Sequence, residues 1–155
     1  MSTPAIKRIQ KELARLQSDP LEGITVTPAE DNIRYLTVIL PGPKGTCYEG
    51  GKFKLEVFCG EGYPMQPPQC RFLTRIYHPN IDRLGRICLD IIDQNPAKCQ
   101  WTPAIQIGSM LLSIQSLLSE PNVDDPLDER VASHWRTDRK GAEAEARRQT
   151  LQHAK

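Results

Sequence analysis

The stretch IRYLTVILPGPKGTCYEGGKFKLEVFCGEGYPMQPPQCRFLTRI, Ile33 to Ile76, holds three β-like runs, IRYLTVILP, KFKLEVFC and CRFLTRI, cut apart by the turn signals PGPKG, EGG and EGYP. In the middle run Phe53, Leu55, Val57 and Cys59 alternate with Lys52, Lys54, Glu56 and Phe58, a period of two that puts an apolar row on one face of a strand. The run ITVTP from Ile24 precedes them, and short runs joined by short turns predict an antiparallel meander.

Helical patterns flank this meander. Ser2 or Thr3 is placed to cap a helix with Pro4 in its first turn, and Ile6, Ile9, Leu13 and Leu16 recur on one face until Ser18-Asp19-Pro20 ends the pattern. Lys7, Arg8 and Lys11 make the opposite face basic. Downstream, Thr102-Pro103 is expected to open an apolar helix, IQIGSMLLSIQSLLS, that packs on the sheet as its central core helix. Asp125-Pro126 is expected to cap a further helix through Trp135, and Thr137 to start a last, mostly polar helix lying on the surface. Helix, strands, long loop and helices in that order make an α+β fold. The 155 residues, 39% of them hydrophobic, suit one core and one domain spanning 1–155.

The formal net charge of +1, from 20 basic and 19 acidic residues, argues against a nucleic-acid footprint or a polybasic membrane-seeking surface. Partners are expected to be proteins or small molecules. MSTPAIKRIQKELARLQ has no apolar leader core, and no window approaches the ~20 apolar residues of a membrane span, so a soluble, unsecreted chain is expected. Cys47, Cys59, Cys70, Cys88 and Cys99 are an odd number without CxxC spacing, which suggests neither a disulfide framework nor a zinc site but a reduced, intracellular protein. His78, His134 and His153 are too scattered to complete a metal cluster, so no metal is expected.

Between Ile76 and Trp101 the periodicity disappears, and a loop of that length in a compact domain is usually functional. It contains YHPNIDRLGRICLD, Tyr77 to Asp90. Cys88 follows a glycine-centred turn there and is the cysteine with polar neighbours of a catalytic type: Arg86 to lower its pKa, Asp90 two residues on, and His78-Pro79-Asn80 upstream. Ile87-Cys88-Leu89 also reads as a short buried strand, and free cysteines are among the most buried residues. His78 is the one nearby candidate for a thiol-protease base. Its proline neighbour instead suggests a rigid turn presenting Asn80, whose amide is a good donor to an oxyanion.

HPNIDRLGRICLDI, with YPMQPP before it and WTPAIQIGSMLLSIQSLLSEPNVDDPL after it, resembles the ubiquitin-conjugating enzyme family across nearly the whole chain. The resemblance implies a four-stranded antiparallel sheet with an N-terminal helix, a central helix and two C-terminal helices. It also implies that Cys88 accepts ubiquitin as a thioester from the activating enzyme and passes it to a lysine amine. No cofactor belongs to that reaction, the ATP being used upstream by the activating enzyme, and the implied location is cytoplasmic and nuclear. A thioester is already activated, so the group that must be neutralised is the lysine, of ordinary pKa about 10.4. By the same resemblance Asp90 and Asp125 orient or deprotonate that amine and Asn80 stabilises the oxyanion or the loop. Asp125, before Pro126, also reads as a helix N-cap.

IYHPNID, LGRICLDI and the LLSIQSLLS helix most resemble the subfamily that builds chains through lysine sixty-three of ubiquitin with an inactive variant partner. Against that pattern the segment Asp93 to Gln100, DQNPAKCQ, is long, and Glu120 stands where a small residue is usual. The resemblance places RING-type ligases on Lys7, Lys11, Met65 and Pro103, and the variant, forming a heterodimer, on Phe58 with Glu56 and Arg71 as its polar rim. From the residues alone, Phe58 on a polar face is either covered by its own chain or left as an anchor for a partner. A conjugator of another ubiquitin-like modifier and an inactive binding module of the same fold are the alternatives.

Overall fold

A computed structural model describes residues 3–155. Helix α1 (Pro4–Ser18) is capped by Thr3, whose hydroxyl accepts from the Ile6 amide; the alternative cap, Ser2, lies outside the described residues. Strands β1 (Thr25–Pro28), β2 (Tyr35–Pro41), β3 (Lys52–Phe58) and β4 (Gln69–Phe72) then form one antiparallel sheet in the order of the chain, the meander expected from the turn signals. β4 is shorter than CRFLTRI because Leu73 and Thr74 both turn their amides to the Lys54 carbonyl and end the ladder.

The alternation in β3 is realised as read. Phe53, Leu55 and Val57 have no exposed surface and meet Leu36, Val38 and Leu40 of β2 in a single core. Helix α2 (Ile107–Ser119) lays Ile107, Met110, Leu111, Ile114 and Leu118 on that face. It begins later than the Thr102-Pro103 expectation, and its cap comes from elsewhere in the chain. Glu12 of α1, buried, accepts from the Ile107 amide at 2.7 Å, so a carboxylate satisfies an orphan N–H at the positive end of the helix. Tyr63 donates to the other Glu12 oxygen and Arg8 joins it at 2.9 Å, which ties α1, α2 and the GYP turn together.

The last two helices also start later than expected. α3 (Glu129–Thr137) is capped by Asp128, which accepts from the Arg130 and Val131 amides, so Asp125 is not its cap. α4 (Arg139–His153) is capped by Asp138 rather than opened by Thr137. Nor is α4 wholly a surface helix: Ala142, Ala146 and Thr150 are buried as a stripe spaced by four. Small side chains leave little hydrophobic contrast along a helix, which hides such a stripe from a periodicity reading.

Candidate active site

The loop that carries Cys88 is built on backbone pairing. Ile81 bridges to both His78 and Ile87, and the Cys88 amide donates to the Asn80 carbonyl at 2.8 Å. Gly85 turns the chain with φ +83°, and a Cβ there would lie 1.9 Å from the Phe72 carbonyl oxygen, so only glycine fits between the loop and β4.

His78 is fully buried against Tyr48 and Trp135, its Nδ1 accepting from the Asn80 amide and its Nε2 facing the Leu117 carbonyl. An Nε2–H donates to that carbonyl. Burial holds its pKa down at about 4, so it is neutral and structural, as the rigid-turn reading implied. Asn80 is equally committed. Its Nδ2 donates to the carbonyls of Asn122 at 2.8 Å and Asp125 at 3.1 Å, while its Oδ1 accepts from the Asn122 amide. Both amide hydrogens are used, so in this arrangement Asn80 clamps the Asn122–Asp125 segment to the cysteine loop and presents no free donor at the sulfur.

That clamp delivers Asp125 to the thiol. Cys88 Sγ lies 3.6 Å from the Asp125 carbonyl and 3.7 Å from its Oδ2, within donating range of both. Partial burial pushes the Cys88 thiol up from its ordinary pKa, and the charge of Asp125 and the hydrogen bond to it add to the shift. Arg86 does not offset this, contrary to expectation, because its guanidinium is paired with Asp82 at 2.6 Å. Lys98 is the cation that lowers the thiol pKa, and Asp93 adds to the raising influences. Neither was selected in the sequence. Asp90 is exposed at the head of a single 3-10 turn, Asp90–Ile92, and the sulfur's hydrogen-bond partners among the described residues are atoms of Asp125, not of Asp90.

Of the other cysteines, Cys47 and Cys59 are buried, and burial drives the Cys59 and Cys70 thiols up to about 12. Cys88 is half-buried at the edge of a cleft of about 620 Å³ lined also by Glu56, Phe58, Arg71, Asp93 and Leu127. An open cleft beside a half-buried thiol and a carboxylate at hydrogen-bond range suits acyl transfer through sulfur.

A family model described as "Ubiquitin-conjugating enzyme" matches residues 8–150. The chain belongs to the ubiquitin-conjugating enzyme family. It is similar to "Ubiquitin-conjugating enzyme E2 13" of Saccharomyces cerevisiae, 52% identical with 96% of this chain and 94% of that protein covered. It is likewise similar to "Ubiquitin-conjugating enzyme E2 N" of Drosophila melanogaster, 52% identical over 96% of this chain and 95% of that one, and of Macaca fascicularis, 51% identical over 96% and 94%. A ubiquitin-conjugating enzyme is a transferase with a cysteine thioester intermediate, served by ubiquitin, an activating enzyme and ligases.

Around this conjugating-enzyme cleft the residues named for partners fall into two groups. Glu56 and Arg71 are cross-strand neighbours paired at 2.9 Å on the outer face of the sheet, beside Phe58, which stacks on Tyr35 with centroids 4.5 Å apart. One ring face of Phe58 is thus covered by its own chain, while the residue still lines the cleft. At the other end, Lys11 and Pro103 border one groove, Arg8 donates to the Pro103 carbonyl, and the Trp101 indole donates to the Pro64 carbonyl next to Met65. Met65 is 73% exposed, and Lys7 lies exposed on α1. No group of residues able to hold a metal occurs among the described residues. No described helix is long and apolar enough to cross a membrane.

Proposed function

We propose that Cys88 carries ubiquitin as the thioester and that the enzyme builds chains linked through lysine sixty-three of ubiquitin, with an inactive variant of the same fold seated on Phe58, Glu56 and Arg71. The observation that carries this reading is a shared cleft: the thiol and all three proposed partner residues line it together. A partner held there stands beside the thioester and can fix which lysine of an acceptor ubiquitin reaches the carbonyl carbon. Asp125, 3.7 Å from the sulfur, is the proposed acceptor-orienting carboxylate, Asn80 its clamp, and Asp90 a weaker contributor from the exposed rim. RING-type ligases are proposed to dock on Lys7, Lys11, Met65 and Pro103, of which Lys7 and Met65 are exposed and Lys11 and Pro103 border one groove. A reducing cytoplasmic and nuclear location is proposed from five free cysteines, one of them the nucleophile.

Incubation with ubiquitin, activating enzyme and ATP tests the reading. Wild type should form a thiol-sensitive adduct that Cys88→Ala lacks, and addition of the variant should yield free chains that disappear when lysine sixty-three of ubiquitin is replaced by arginine. An adduct that persists in Cys88→Ala, or chains indifferent to that replacement, would overturn it.

A further inference from the structure

The segment Asp93 to Gln100, long against the resembled subfamily, is an ordered part of the site. Asn95 organises it: its carbonyl accepts from the Lys98 and Cys99 amides and its side chain from the Ala97 amide. Asp93 Oδ1 accepts from the Asn95 amide at 2.9 Å, and the Gln100 amide closes the loop onto the Asp90 carbonyl at 2.9 Å. Asp93 is thereby held half-buried in the wall of the Cys88 cleft.

The charges facing that cleft are otherwise spoken for. Glu56 is paired with Arg71, Arg86 with Asp82, and the thiol faces Asp125. Lys98 belongs to the rim loop itself. Among the described residues Asp93 is the cleft-lining carboxylate that holds no ion pair, with one oxygen bonded to a backbone amide. A carboxylate fixed by one oxygen, facing an open cleft that must admit a cationic lysine, has the chemistry of a cation-orienting group.

We propose that Asp93 is a second acceptor-contacting carboxylate, which draws the incoming lysine ammonium into the cleft and takes its proton before attack on the Cys88 thioester. This rests on the reading of Cys88 as the ubiquitin carrier. The free amine then forms a bond to the carbonyl carbon, the carbon–sulfur bond breaks, the departing Cys88 thiolate takes the second proton from the nitrogen as the amide forms, and the first proton passes from the carboxylate to water. Asp125 and Asp93 divide the work by position: Asp125 touches the sulfur, and Asp93 stands on the wall shared with Phe58.

The test is single-turnover discharge of preformed ubiquitin thioester by wild type and Asp93→Asn, a change that keeps the Oδ1 acceptor for the Asn95 amide. Discharge to free lysine should be about five-fold slower near pH 7, with the deficit closing as pH approaches the ordinary lysine pKa of about 10.4. Discharge to hydroxylamine, a neutral nucleophile at pH 7, should show no deficit. Equal lysine rates at every pH, or equal losses with lysine and hydroxylamine, would overturn the proposal, the latter assigning Asp93 to loop structure. Failure of wild type to accept ubiquitin would sink the reading beneath it instead, and the same discharge comparison with the modifier that does charge the enzyme would still decide Asp93.

Discussion

Strand β3 turns Phe53, Leu55 and Val57 toward α2 with no exposed surface, and turns Glu56 and Phe58, which alternate with them, toward a cleft shared with the thiol. The two faces share one backbone and the same ladder to β2 and β4, yet they differ in what a truncation removes. On the inner face each side chain is surrounded, so shortening it opens a cavity the neighbours fill only partly. On the outer face a ring is covered on one side by Tyr35 and open on the other, so shortening it mainly removes a surface. Stability therefore concentrates on the inner face, and the proposed partner contact falls on the outer one.

Leu55→Ala is the strongest test of the inner face, with an expected loss of about 3 kcal/mol in unfolding free energy by urea titration and ordinary thioester formation per folded molecule. A loss under about 1 kcal/mol would erase the contrast. His78 probes the same packing under the cysteine loop. Its folded pKa of about 4 lies below the unfolded value of about 6.5, so the unfolded chain binds the extra proton across that interval. Stability is full above pH 6.5 and falls as pH drops toward 4, by about 2 kcal/mol at pH 5. Urea midpoints that stay flat from pH 7 to 5 would mean the ring is less sealed than its burial indicates.

Phe58→Ala probes the outer face. It should cost about 2 kcal/mol in affinity for the variant partner by calorimetry while sparing thioester formation and altering stability far less than Leu55→Ala. Unchanged affinity in a folded protein would return Phe58 wholly to its packing on Tyr35. The smallest effect lies at the sulfur. Asp125→Asn removes the charge that helps raise the thiol pKa, so alkylation of Cys88 by iodoacetamide at pH 7.5 should quicken about three-fold, with the pH midpoint of alkylation shifted down. A slower reaction would show that Asp125 activates the thiol rather than restraining it.

Much of this was legible before the fold was known, because strand period and turn chemistry are local. The meander, the split of β3 into two faces and a cap at Ser2 or Thr3 all follow from neighbours in sequence. Helix starts were less legible, since α2 is capped by Glu12 from 95 residues upstream and no local pattern announces it. The α4 stripe of Ala142, Ala146 and Thr150 carried too little hydrophobic contrast to be seen. At the site, Cys88, Asn80 and Asp125 were picked out through motifs, whereas Asp93 and Lys98 were not.

The sequence by itself determined the α+β meander, which cysteine sits in an irregular loop among polar neighbours, and, through its motifs, the family. Only the tertiary structure decided what each neighbour does. Arg86 is two residues from Cys88 yet serves Asp82, and Asn80 spends its amide hydrogens on the segment carrying Asp125, 37 residues beyond the cysteine it flanks. Electrostatics and hydrogen bonding act over a few ångströms of space and take no account of separation along the chain, so the charge that governs the thiol was settled when the loops met.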